Sequence, residues 1–150
     1  MKSSTIRNQL LGGDVKLAGE LLGRPYSIRG SVVRGEGRGQ QLGFPTANIR
    51  PDSTRKLVPR SGVYIVRVEL GGKQFFGMLN IGVRPTFSTS LQEVIEVHIF
   101  DLEENLYGSA LEIYFLDKLR PEKKFASKDD LIGQLTKDRE QCMKYLAEIV

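Results

Sequence analysis

Apolar positions along this chain change period near residue 26. Before it, Ile6 and Leu10 share one helical face, and Val15, Leu17, Ala18, Leu21 and Leu22 form a second apolar run. Ser3 or Ser4 can cap the first helix, which stops at Gly12-Gly13; Asp14 caps the second, and Gly23 ends it ahead of Pro25. Two short helices in succession read as a linker or lid. From Tyr26 the pattern alternates. The spacing predicts strands over Tyr26–Arg34, Val63–Leu70, Lys73–Ile81, Glu93–Asp101 and Ala110–Leu116, with Gly71-Gly72 as a hairpin turn. No helix separates consecutive strands, which favours an antiparallel barrel or sandwich. After Pro121 the helical period returns. Ser127-Lys128-Asp129-Asp130 reads as a capping box for a long terminal helix with Leu131, Leu135, Cys142, Leu146 and Ile149 apolar. Asp138 and Arg139 interrupt that stripe, as a solvent-exposed kink or as a ligand contact. The division expected is a helical N-terminal segment, 1–25, and one β-rich domain, 26–150.

Composition narrows the class without naming a function. The chain has 150 residues, 40% hydrophobic and 27% charged, enough for one well-buried core. No apolar run reaches membrane-spanning length, and the first residues carry no apolar signal core, so a cytoplasmic protein without membrane partners is expected. Cys142 is the only cysteine, which excludes an internal disulfide and a cysteine-based zinc site. The net charge of +4 and pI near 9.3 suit a polyanion, whether nucleic acid or nucleotide phosphate, and equally a slightly basic surface.

Candidate chemistry concentrates in Gly35-Glu36-Gly37-Arg38-Gly39-Gln40-Gln41-Leu42-Gly43-Phe44-Pro45-Thr46-Ala47-Asn48. Glycines let backbone N–H groups turn toward an anion, and Arg38 adds charge. Thr46 and Asn48 offer neutral oxygen ligands of the kind that complete the shell of a hard cation such as Mg²⁺ beside phosphates. Neither the phosphate-loop ending nor the dinucleotide fingerprint is present, and a glycine-rich stretch between strands is commonly only a turn. In Glu93–Asp101, Ile95, Val97 and Ile99 share one face while Val94, Glu96, His98 and Phe100 share the other. Facing solvent, Glu96 is a surface residue; lining a cleft, it is a general-base candidate. His98, the only histidine, reads as a hydrogen-bonded structural residue. With one cysteine and one histidine, no Ser-His-Asp, Cys-His or paired-histidine constellation can be assembled.

These segments together resemble the riboflavin kinase family. The resemblance rests on Arg34-Gly35-Glu36-Gly37-Arg38-Gly39, on Leu42–Asn48 with its Pro-Thr-Ala-Asn tetrapeptide, and on Glu96-Val97-His98. Leu106-Tyr107-Gly108 and Leu119–Phe125 continue it in the family's order, from about Gly23 to Leu146. The lead-in through Tyr26 looks like the connector of bacterial bifunctional enzymes, in which an adenylyltransferase domain precedes the kinase. The chain therefore looks like the kinase module, excised or solitary, with adenylyl transfer not expected of it.

The resemblance implies a mainly β fold: a six-stranded antiparallel Greek-key barrel of the riboflavin kinase-like split-barrel type, with a long C-terminal helix and short N-terminal helices. It implies ATP- and Mg²⁺-dependent phosphorylation of the riboflavin 5′-hydroxyl, giving FMN and ADP. Carried over by position, Gly35, Gly37 and Gly39 would cradle ATP phosphates with Arg34 and Arg38, Thr46 and Asn48 would hold Mg²⁺, and Glu96 would be the catalytic base. Leu106 and Tyr107 would lie on the adenine side, Arg120 and Phe125 would border the flavin, and Val83–Ser88 would form a flap. The resemblance departs at Gln40 and Gln41, where many members carry a basic residue; a neutral amide still bonds phosphate. Two other readings stay open at this point: a basic barrel that stacks single-stranded nucleic acid on Tyr64, Phe75, Phe76 and Phe100, and a flavin-binding barrel without catalysis.

Overall fold

A computed structural model describes residues 3–34, 43–85, 91–102 and 104–149. Helix α1 (Ser3–Gly12) and helix α2 (Val15–Leu22) come first. Six strands follow: β1 (Ser27–Val33), β2 (Ala47–Pro51), β3 (Gly62–Leu70), β4 (Lys73–Pro85), β5 (Leu91–Ile99) and β6 (Ala110–Arg120). Helix α3 (Lys128–Ile149) ends the chain. The strands close into an antiparallel barrel in the order β1-β2-β5-β4-β3-β6. The meander β3-β4-β5 is flanked by β2 on one side and β6 on the other, and β1 closes the ring between them. This is the Greek-key barrel that the family resemblance implied, and one of the two forms that the alternation allowed.

Local chemistry sets the boundaries. Asp14 accepts a hydrogen bond from the Leu17 N–H at 3.1 Å, and Gly23 ends α2 in the left-handed conformation, at φ 81°. Gly71 and Gly72 take φ 58° and 79°, the double positive turn that matches the twist of a hairpin. Ser127 Oγ accepts from the Asp130 N–H at 3.1 Å, capping α3. Several boundaries differ from the alternation reading, among them β5, which spans Leu91–Ile99 rather than Glu93–Asp101. β2 was not among the expected strands, because it is short, Pro45 stands just before it and Pro51 is its last residue. β4 and β6 run past Ile81 and Leu116, to Pro85 and Arg120. Their extra residues stay paired, Val83 with Glu93 and Arg120 with Val63, although their polarity no longer alternates.

The barrel buries both faces of several strands. Ile28, Tyr64, Val66, Val68, Leu79, Ile81, Val97, Ile113 and Phe115 fill the interior. The N-terminal helices add to the same core: Leu10, Val15 and Ala18 are buried in it, so α1 and α2 pack onto the barrel rather than standing off it. A second core lies outside the wall, where Val63, Ile65, Met78 and Phe100 meet Cys142 and Leu146 of α3. Tyr64 and Phe100 are therefore packing residues and offer no stacking platform.

At Asp138 the polar break in α3 is neither exposed nor open to a ligand, while Arg139 beside it is exposed. Asp138 is 0% exposed and receives Arg120 Nε at 2.9 Å and Nη2 at 2.8 Å, with Gln134 Nε2 at 2.9 Å. The fork geometry satisfies both carboxylate oxygens and ties the end of β6 to the middle of α3. Removing one partner of such a pair leaves the other charge buried. Asp138→Ala should therefore cost about 3–5 kcal/mol in urea unfolding. A loss near that of an exposed pair, under about 1 kcal/mol, would show that the network contributes little.

Candidate active site

The sheet register brings the sequence-predicted residues to one belt on the outer wall. Val33 of β1 pairs with Asn48 of β2, Asn48 with Glu96 of β5, and Glu96 with Asn80 of β4. Asn80 in turn pairs with Val63 of β3, and Val63 with Arg120 of β6. Directly opposed residues of antiparallel strands point to the same face, with Cβ atoms roughly 4.5–5.5 Å apart. The face is the outer one, because Ile95 and Val97, the neighbours of Glu96, are buried in the interior. Asn48, Glu96 and Asn80 are each part-exposed. The belt thus holds two amides and a carboxylate side by side, on a wall that α3 covers only farther along.

Thr46 joins this group from the turn before β2. Its Oγ1 donates to Glu96 Oε2 at 3.4 Å. The turn is held from the same strand face: His98 Nδ1–H donates to the Pro45 carbonyl at 2.7 Å. His98 sits between Phe44 and Phe100, each with its ring centre 5.5 Å away and meeting it edge-on. β5 therefore carries two anchors two residues apart, one for Pro45 and one for Thr46. The reading of His98 as a hydrogen-bonded structural residue agrees with this geometry. Burial, with Arg139 nearby, holds His98 below its ordinary value against the opposing effect of the Pro45 bond.

Other expected residues lie at the two ends of the belt. Arg34 follows Val33 and places its guanidinium 5.1 Å from the Tyr107 ring centre. Tyr107 is 57% exposed, Leu106 packs partly against the barrel core, and Gly108 N–H bonds the Val32 carbonyl at 2.9 Å. Gly35, Gly37, Arg38, Gly39 and Gln40 lie outside the described residues, between this end and Gly43. At the other end Arg120 is engaged by Asp138, with the Phe125 ring centre 5.9 Å from its guanidinium. Of the expected flap, Val83–Pro85 belong to β4, and 86–88 lie outside the described residues. The Glu122 carboxylate lies against Gly82, where a Cβ would collide with it. Sequence reasoning missed Asn80; it singled out Asp138 without its partner Arg120, and it gave Glu122 no task of its own. Asn80 had one signal, a lone amide between Leu79 and Ile81, which gains meaning only from its register with Glu96.

A part-exposed carboxylate among hydroxyl and amide oxygens can accept a proton from a bound alcohol. Among the described residues no group of three or more His, Cys, Asp or Glu can hold a metal. Thr46 and Asn48 instead supply neutral oxygens, a donor set that suits a hard cation whose remaining ligands come from phosphates and water.

Comparison with known proteins decides the family. The family model described as Flavokinase, riboflavin kinase, matches residues 22–146. The chain belongs to the riboflavin kinase family. Its relative in Bacillus subtilis, a bifunctional riboflavin kinase/FMN adenylyltransferase, is 40% identical over 99% of this chain and 48% of its own length. This chain spans about half the length of the curated relatives it matches. A Streptococcus pneumoniae crystal structure described as a macrolide-efflux protein superposes with a TM-score of 0.87 at 41% identity, over 93% of this chain and 45% of that one. No helix among the described residues is long and apolar enough to cross a membrane. Riboflavin kinase from Trypanosoma brucei shares the fold, with a TM-score of 0.58 at 22% identity over 83% of this chain and 82% of that one.

In this member of the family, the His98 anchor yields a pH signature. The unfolded chain takes up a proton near 6.5, and the folded chain takes it up only at lower pH. The stabilising contribution of His98 is therefore complete above that value and is lost as pH falls. His98→Asn keeps an N–H donor for Pro45 and removes the titration. Its melting temperature should fall less than that of the wild type between about pH 7.5 and about pH 5.5. Equal falls would show that His98 does not carry the difference.

Proposed function

We propose that this chain transfers the γ-phosphoryl group of ATP to the 5′-hydroxyl of riboflavin, giving FMN and ADP. The observation that carries the reading is the meeting of Thr46, Asn48 and Glu96 on one outer-wall patch in a riboflavin kinase-family chain. Glu96 takes the proton of the attacking hydroxyl. Phosphoryl transfer asks little more of a protein than alignment and charge compensation. Thr46 and Asn48 would hold the divalent cation that accompanies the nucleotide, for which we propose Mg²⁺; such an ion would supply charge compensation at the phosphate oxygens. Arg34, Gly35, Gly37, Arg38, Gly39 and Gln40 line the phosphate path. Tyr107 and Leu106 take the adenine side, while Arg120 and Phe125 border the flavin, Arg120 acting from within its ion pair. Residues 26–150 form the kinase domain, with 1–25 as its N-terminal segment. In a longer parent protein an adenylyltransferase domain would precede it and use the FMN. We place the reaction in the cytoplasm, where a free thiol such as that of Cys142 stays reduced.

Chromatography of flavins after incubation with riboflavin, ATP and Mg²⁺ tests the reading; FMN is expected, and unchanged riboflavin would contradict it. Glu96→Gln should retain nucleotide binding while turnover falls about 10²–10⁴-fold, and near wild-type FMN output from that variant would remove Glu96 from its role. Asn48→Ala should weaken Mg²⁺-dependent nucleotide binding in calorimetric titration, with little change when the metal is chelated. Equal affinities with and without metal in both proteins would count against the assignment.

A further inference from the structure

Asn80 is the one amide of the belt to which neither the sequence pattern nor the family resemblance gives a task. It stands directly opposite Glu96 on β5 and, on its other side, opposite Val63. Its Oδ1 is buried and has no hydrogen-bond partner among the described residues. Leaving a buried polar atom unpaired costs about 1–3 kcal/mol, so a fold that keeps one beside a reactive carboxylate carries an expense a leucine would avoid. Two of its neighbours offer no donor. Val63 is apolar, and the carboxylate of Glu122, which lies against Gly82 two residues along the same face, accepts hydrogen bonds rather than donating them.

We propose that Asn80 is a binding residue for the acceptor substrate: its amide bonds a hydroxyl of the flavin's polyol chain and lays that chain along the wall toward Glu96. The inference rests on the kinase reading above and adds the subsite for the chain that carries the reacting alcohol. A hydroxyl is the group this amide can use in either orientation. With Oδ1 forward it receives the hydroxyl proton; turned over, Nδ2 donates to the hydroxyl oxygen. Register supplies the direction, because a chain bonded at Asn80 and reaching one strand across arrives at Glu96. Glu122 is exposed, and its side chain swings out of the path at little cost. The polyol is thereby told apart from a flavin that lacks it, since such a flavin leaves the amide unpaired.

The test compares two ligands by quenching of flavin fluorescence: riboflavin, and lumiflavin, which carries a methyl group in place of the polyol. Asn80→Ala should weaken riboflavin binding about 3–10-fold while lumiflavin binding stays within about twofold. The KM for MgATP should not change. Asn80→Ser, which restores a hydroxyl, should recover part of the riboflavin affinity. Asn80→Leu serves as the second variant, filling the space without polar atoms. Riboflavin affinity unchanged in Asn80→Leu, with a raised melting temperature, would overturn the proposal by showing an acceptor that no ligand uses. Equal weakening of both flavins would also overturn it, as the mark of a disturbed wall. The unaltered chain separates the two levels: if it makes FMN while the variants show no difference between ligands, the kinase reading stands and the Asn80 subsite falls. If it binds no riboflavin, both fall.

Discussion

The register between β2, β5 and β4 is the constraint on which the site depends. Asn48, Glu96 and Asn80 lie as many as 48 positions apart in the chain, and only strand pairing makes them neighbours. A slip of one residue would turn Glu96 into the barrel interior and bring Ile95 or Val97 out. The interior forbids that slip, because Ile49, Leu79, Ile81, Ile95 and Val97 are packed there with almost no exposure. The same apolar side chains that hold the barrel together thus hold the polar ones in line outside it.

The outer wall is used twice. Toward Met78, Ile65 and Phe100 it is covered by α3, whose Cys142 and Leu146 complete the second core. Toward Asn48, Glu96 and Asn80 it is left part-exposed. Arg120 and Asp138 mark the border between these halves. Their buried pair fixes where α3 lies and anchors the root of the segment that carries Glu122 and Phe125. His98 in turn fixes the Pro45 turn. Both are polar contacts made by largely buried groups, which suits positions where direction matters more than adhesion.

Much of this is legible in the chain alone. Alternation over β3 and β5, the capping residues Asp14 and Ser127, and the Gly71-Gly72 turn each report a local backbone preference, and local preferences are written in consecutive residues. The Pro-Thr-Ala-Asn segment and Glu96 stood out because their residue types are unusual for a plain turn and a plain strand. What escaped is non-local. β2 is too short to announce itself, Asp138 gains its partner from β6, and Asn80 gains its neighbour from β5. The burial of Leu10, Val15 and Ala18 against the barrel is equally invisible to periodicity, which finds an apolar face but not what it meets.

If Asn48 and Glu96 serve one reaction from one row of the sheet, they must be energetically coupled. A double-mutant cycle with Asn48→Ala, Glu96→Gln and the combined variant, read as kcat/KM for riboflavin phosphorylation, measures this directly. The account predicts that the double variant loses far less activity than the product of the two single losses. Strict multiplication of those losses would mean that the two side chains act independently, and that their alignment on the barrel wall has no bearing on catalysis.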